Sequence, residues 1–142
     1  MRYLTHLGGV AATTIPGLVL LAIPQLREVG AAVLLANASS HLVVQVLKRL
    51  VARPRPCDAV GQPLALVPLP DPFSFPSGHA AASAAVAATL SLAFPPLAPP
   101  LLLLAGLVAA SRVTLRVHHV GDVLAGVALG LGGAVLAATL LL

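Results

Sequence analysis

Residues 29–48 read VGAAVLLANASSHLVVQVLK, an uncharged run closed by the only lysine of the chain. About 20 mainly apolar residues in a helix cross the hydrocarbon core of a bilayer, so residues 29–47 are predicted as a membrane helix. Its polar residues are ordered. Asn37, His41, Gln45 and Lys48 follow at spacings of 4, 4 and 3, which aligns them along one face. Such a stripe normally faces the bundle interior. Interhelical hydrogen bonding is the favoured role for Asn37, His41 and Gln45, and Lys48 stands where the stripe meets a basic phrase.

The rest of the chain has the same oily character. Of 142 residues, 58% are hydrophobic and 8% charged, and the mean hydropathy is +1.01, which excludes a water-soluble domain. Further apolar helices are expected at residues 7–26, 77–94, 101–116 (with a start as early as 97) and 119–142. The expectation is an all-α integral membrane bundle of about five helices, forming one domain over residues 1–142. Pro16 and Pro24 fall inside the first helix, which neighbouring helices can accommodate. Arg27, Glu28 and Gly30 mark a short turn after it. Ser77 suits the N-cap of the third helix, and Pro95, Pro96, Pro99 and Pro100 separate the third from the fourth. In the fifth, Gly126 and Gly130 form a small-xxx-small pair that permits close helix contact. Residues 50–76 hold seven prolines and no helical period, so they read as a long surface loop. The apolar run after Arg2 imitates a signal peptide, but no small-x-small site closes it before Arg27, and an uncleaved helix is expected.

The formal charge of +4 at pH 7 and the pI near 10.7 call for an acidic partner. In a membrane chain that means phosphate headgroups. No basic patch interleaved with aromatics suggests nucleic acid. Cys57 is the only cysteine, which rules out an internal disulfide and a Cys-based zinc site.

Three polar phrases hold most of the ionisable chemistry: KRLVARPRP at 48–56, PSGH at 76–79 and SRVTLRVHHVGD at 111–122. Hairpin order places the end of the second helix, the start of the third and the junction between fourth and fifth on one side of the membrane. The three phrases can therefore share a site.

Their inventory is that of phosphoryl transfer, which asks mainly for positioning and positive charge. Lys48, Arg55 and Arg112 supply the charge, arginine as a planar fork and lysine as a point charge. Arg49, Arg53 and Arg116 are read as snorkelling to headgroups. Ser77 and the Gly78 amide sit at a helix N-terminus, which favours an anion. His118 and Asp122 are four apart, a spacing that on a helix puts a carboxylate beside an imidazole and leaves one ring nitrogen free as nucleophile or base. His119 points elsewhere and is read as structural. His79, His118, His119 and Asp122 also suit zinc or iron, but three cationic groups crowd a metal and no His-x3-His pair is present, so no metal ligand is assigned.

With Lys48, Arg55-Pro56, Pro76-Ser77-Gly78-His79, Ser111-Arg112, His118 and Asp122 in place, the chain resembles the type 2 phosphatidic acid phosphatase (PAP2) family, which includes polyprenyl-diphosphate phosphatases and vanadium haloperoxidases. Every spacing of the family's three-part signature is intact. The resemblance implies a haloperoxidase-like helical core and a mechanism with no metal and no cofactor. His118 attacks phosphorus to form a phosphohistidine, Asp122 orients its ring, and His79 protonates the leaving oxygen and later activates water. Lys48, Arg55, Arg112, Ser77 and the Gly78 amide hold the non-bridging oxygens. Membrane members commonly have six spanning helices, against five here.

The resemblance also implies a partner, a phosphorylated lipid: phosphatidylglycerol phosphate, phosphatidate or undecaprenyl diphosphate. Phe73 and Phe75 are candidates to line the site's mouth, with interfacial anchoring as the alternative. A non-catalytic protein that binds or carries lipid phosphate is the other functional class, and homo-oligomerisation stays open. Two arguments oppose each other on orientation in the cell (inner) membrane. Arg2, Arg49, Arg53 and Arg116 on the motif side suggest a cytoplasmic site under the positive-inside rule. The resemblance implies an extracytoplasmic one and carries more weight, because a phosphate site itself requires charge.

Overall fold

The computed structural model describes residues 1, 3–69 and 71–142; Arg2, counted above with the motif side, lies outside the described residues. Five α-helices follow in order: α1 (Val10–Ala22), α2 (Arg27–Val51), α3 (Gly78–Ala93), α4 (Ala98–Thr114) and α5 (Val120–Leu141). Short 3-10 turns occupy Leu4–Gly8, Pro24–Leu26 and Pro95–Leu97. The all-α bundle is as expected. Three helical stretches, Pro24–Val51, Pro95–Thr114 and Val120–Leu141, are long and apolar enough to cross a bilayer, while α1 and α3 are shorter apolar helices. Leu18, Val19, Leu42, Leu103, Leu124 and Val135 all lie exposed on the outside. That is the surface of an integral membrane protein, for which lipid is the solvent.

Element boundaries depart from expectation where backbone chemistry intervenes. The first helix does not run from 7 to 26. Gly9 is extended (φ −75°, ψ 161°) before α1, and Ile23 is extended (φ −93°, ψ 116°) after it. The residue before a proline is pushed out of helical space, and Ile23 precedes Pro24. No turn forms at Arg27–Gly30 either: Arg27 and Glu28 open α2, and Gly30 is buried within it. A Cβ on Gly30 would strike the backbone of Leu21, so this glycine serves the α1–α2 contact. Helix α2 passes the expected end at Leu47 and stops at Ala52, whose left-handed backbone (φ 47°) returns its N–H to the Lys48 carbonyl.

Helix α3 is the hub, touching all four other helices. Its sequence, GHAAASAAVAATLSLA, buries Ala80, Ala81, Ala84 and Ala85 among others. Side chains this small let neighbouring backbones approach closely. On α5, a Cβ at Gly126 would meet the Ser77 carbonyl and one at Gly130 the Ala81 carbonyl. Gly133 extends the seam to α2, with Ala36 O 2.7 Å from the position a Cβ would take. The long loop after α2 folds back on itself: Pro54 pairs with Phe73 and Cys57 with Pro63 in isolated antiparallel bridges, and Ser74 N donates to Arg53 O at 2.8 Å. It thereby lies over the ends of α2, α3 and α5.

Candidate active site

The three phrases meet. One cavity of about 540 Å³ is lined at its polar end by Lys48, Arg55, Asp71, Gly78, His79, Arg112 and His118, and continues past Val10, Thr13, Leu34, Asn37, His41 and Gln45 between α1 and α2. Two expected site residues do not line it. Ser77 is fully buried; its hydroxyl accepts from Ala80 N at 3.4 Å as the N-cap of α3, and its N–H donates to Asp122 O at 2.9 Å. Asp122 is also fully buried.

His118 sits between α4 and α5 with Nδ1 2.6 Å from the Ser74 carbonyl. A carbonyl can only accept, so Nδ1 carries the proton and Nε2 keeps its lone pair. Nε2 is 3.5 Å from Arg55 Nη1. Burial first, and then the Arg55 and Arg112 charges, push the His118 imidazole down to about 3 against the opposing pull of the Ser74 carbonyl. The ring is therefore neutral near pH 7.

Asp122 does not hold this ring as its spacing suggested. Its Oδ2 is 3.8 Å from His118 Nδ1, beyond hydrogen-bond reach. Because α5 begins only at Val120, His118 lies outside the helix and the i,i+4 geometry does not apply. The carboxylate instead accepts from His119 N at 2.8 Å, faces His119 Nδ1 at 3.2 Å and pairs with Arg53 Nη1 at 2.9 Å. It closes a capping box with His119, the place where a carboxylate meets unpaired N–H groups. Arg53, read as a headgroup arginine, is corrected to the partner of Asp122. Arg49 and Arg116 are exposed, as that reading expects.

Among the cations, Lys48 Nζ bonds Asp71 Oδ1 at 2.9 Å, Asp71 Oδ2 at 2.8 Å and Phe73 O at 3.1 Å. Arg55 donates through Nε to Asp71 O at 2.8 Å, Nη1 to Val117 O at 2.8 Å and Nη2 to Asp71 Oδ1 at 3.2 Å. Arg112 donates to Thr5 Oγ1, while its buried Nε has no partner among the described residues. An unpaired buried donor costs about 1–3 kcal/mol. Partial burial raises the Asp71 carboxyl, but the hydrogen bond and charge of Lys48, with Arg55 and the Phe73 N–H, hold it below the ordinary carboxylate range.

Asp71, Thr5 and Ser74 were not singled out from sequence. The one available signal for Asp71 was electrostatic, since buried cations need a counter-charge and the loop holds few acids. Asn37 Nδ2 reaches Thr13 Oγ1 on α1 at 3.3 Å, the expected interhelical bond. His41 and Gln45 make none among the described residues. They pair with each other at 3.1 Å within α2 and line the cavity. Phe73 and Phe75 do not line it. No three His, Cys, Asp or Glu side chains group as metal ligands among the described residues.

Residues 29–141 match the family model described as the PAP2 superfamily. The chain is similar to an undecaprenyl-diphosphatase of Sulfolobus acidocaldarius, 35% identical over 112 residues, covering 78% of this chain and 54% of that protein. It thus spans about half the length of that relative. The structure is similar to the crystal structure of Aquifex aeolicus LpxE at a TM-score of 0.84, with 27% identity over 97% of this chain and 82% of that one. It is also similar to a transmembrane PAP2-type phosphatidylglycerolphosphate phosphatase of Bacillus subtilis, with a TM-score of 0.79 and 32% identity over 98% of this chain and 73% of that one. The family match runs from the first turn of α2 to the end of α5 and takes in all three phrases of the cavity, and on it the chain belongs to the PAP2 superfamily.

Proposed function

We propose that residues 1–142 act as a single membrane phosphatase domain that removes the terminal phosphate from a lipid phosphomonoester or polyprenyl diphosphate. The observation that carries this reading is His118: a buried neutral imidazole, its Nδ1 fixed on the Ser74 carbonyl and its Nε2 beside Arg55, in a cavity shared with His79 and Arg112. The names of the matched proteins, an undecaprenyl-diphosphatase and a phosphatidylglycerolphosphate phosphatase, support lipid phosphates as the substrate class. The arm of the cavity between α1 and α2, with Val10 and Leu34 on its wall, suits the start of an acyl or prenyl chain.

In the proposed mechanism the Nε2 lone pair attacks phosphorus and a P–N bond forms as the bond to the leaving oxygen breaks. Protonated His79 gives that oxygen its proton. His79 then takes a proton from water, whose oxygen attacks phosphorus, and the P–N bond breaks to release phosphate and restore His118. Arg55, Arg112 and the Gly78 amide hold the non-bridging oxygens, Lys48 adds positive field, and Ser77 presents the helix N-terminus. Asp122 supports the junction that carries His118. No metal takes part, and the site opens on the extracytoplasmic side of the cell membrane.

The test is phosphate release from a panel of phosphatidylglycerol phosphate, phosphatidate and undecaprenyl diphosphate in detergent containing EDTA. Turnover that survives the chelator, is inhibited by vanadate and is lost in His118→Ala is the expected result. Binding without hydrolysis across the panel would favour a lipid-phosphate carrier instead.

A further inference from the structure

Asp71 belongs to no part of the three phrases, yet its carboxylate bonds both Lys48 and Arg55. A lysine ammonium has three N–H donors. Those of Lys48 have three acceptors, both Asp71 oxygens and Phe73 O, and its side chain is only 7% exposed. Lys48 is therefore held in place chiefly by Asp71 and the Phe73 carbonyl, at the edge of the cavity. Arg55 is different. Three of its five N–H groups are engaged, and its guanidinium still lies against His118 Nε2. The Asp71 carboxylate also accepts from Phe73 N at 2.9 Å. That fixes the turn before Ser74, whose carbonyl holds His118 Nδ1.

We infer that Asp71 is a positioning residue: it clamps Lys48 to Arg55 and so holds the Arg55 guanidinium, with the Lys48 ammonium beside it, against the transferring phosphoryl group. This deepens the proposed function and rests on it. Charge supports a carboxylate that stays in place when substrate binds. Lys48, Arg55 and Arg112 less Asp71 leave a net +2 around the cavity, and +3 with the proton that the mechanism places on His79, so a phosphate monoester dianion is neutralised with Asp71 still in place. Asp122 does not enter this sum, being paired with Arg53 outside the lining. The opposing possibility is a plug, an internal anion that phosphate must displace from Lys48 and Arg55.

Clamp and plug differ in the sign of one measurement. Native protein, Asp71→Asn, Asp71→Glu, Lys48→Met and the Lys48→Met/Asp71→Asn double variant are compared for turnover of the hydrolysed lipid, inhibition by orthovanadate and binding of inorganic phosphate. In Asp71→Asn, kcat should fall roughly 10- to 100-fold, the scale of losing a charge-assisted hydrogen-bond clamp, with KM moving less than about threefold. Orthovanadate, a transition-state mimic, should bind more weakly by about tenfold or more, and inorganic phosphate more weakly by only the small factor seen in KM. Asp71→Glu should recover part of the loss, and the double variant should be no worse than Lys48→Met alone, because the two residues act as one unit. Tighter phosphate binding in Asp71→Asn would overturn the clamp in favour of the plug. Fully multiplying losses in the double variant would show that Lys48 and Asp71 do not act as one unit and would overturn the clamp. A lowered melting temperature with unchanged constants for the folded protein would reduce Asp71 to a structural role. If the native protein hydrolyses no lipid, the phosphatase reading fails by itself, and phosphate binding, which needs no turnover, still decides between clamp and plug.

Discussion

The Ser74 carbonyl decides what His118 can do, because an oxygen that can only accept fixes the proton on Nδ1 and leaves Nε2 with a free lone pair, as the proposed attack on phosphorus requires. The same environment writes a pH signature. Burial and the Arg55 and Arg112 charges push the folded ring down to about 3 from an ordinary 6.5, so between those values the unfolded chain binds a proton that the folded chain refuses. Stability is then fully present above about pH 6.5 and declines as pH falls toward 3. Asp71, with a lowered carboxyl, contributes fully above its ordinary 3.8 and adds nothing to the slope there. Thermal unfolding in detergent from pH 7 to 4 should show a falling melting temperature in the native chain and a shallower fall in His118→Ala. Identical slopes would contradict a buried neutral His118. Which residues converge was legible in the three phrases, since hairpin order alone put them on one side. Their partners were not. Ser74 acts through its backbone, which no side-chain pattern reports, and Asp71 lies in a proline-rich loop without a period to place it.

At the scale of elements, the seam between α3 and α5 is held by absence of side chain. Gly126→Ala and Gly130→Ala each drive a Cβ into a backbone carbonyl of α3, and overpacking of this kind costs about 1–3 kcal/mol or more. Gly132→Ala, on the same helix with nothing within 4 Å of the added carbon, should instead gain up to about 1 kcal/mol of helix propensity. Melting temperatures of the three variants in one detergent test this ordering. Arg53→Ala leaves the carboxylate of Asp122, 0% exposed, without its ion-pair partner. It should lower the melting temperature clearly, whereas Arg49→Ala and Arg116→Ala should scarcely move it. The glycine seam was readable as a small-xxx-small pattern, though not its partner helix. Arg53 was misread because its partner lies 69 residues away, and nothing local distinguishes a paired arginine from one reaching for headgroups. The break before α2 was available in principle from Ile23-Pro24. A hydropathy reading passes over it because proline in a membrane helix is often tolerated.

Over the whole molecule, helix order brings the site to one end of the bundle, and the loop from α2 to α3 lies over that end. Cys57, the only cysteine, is exposed on this loop and so reports the side on which the cavity opens. With the site extracytoplasmic, an impermeant maleimide should label native Cys57 in intact cells. Leu97→Cys, at the opposite turn and in a Cys57→Ser background, should react only after permeabilisation; the reverse pattern would place the site in the cytoplasm. The bundle and its helix count were legible because hydropathy and length state them directly, whereas the cavity's extension between α1 and α2 depends on packing that no spacing encodes. The chemistry is tested most directly by rapid alkaline quenching of the native protein during turnover of a lipid phosphate, followed by mass spectrometry of the site peptides. The expected result is a phosphoryl group on His118 that is absent in His118→Ala, which also loses turnover; a phosphoryl group on His79, or full turnover by His118→Ala, would contradict it.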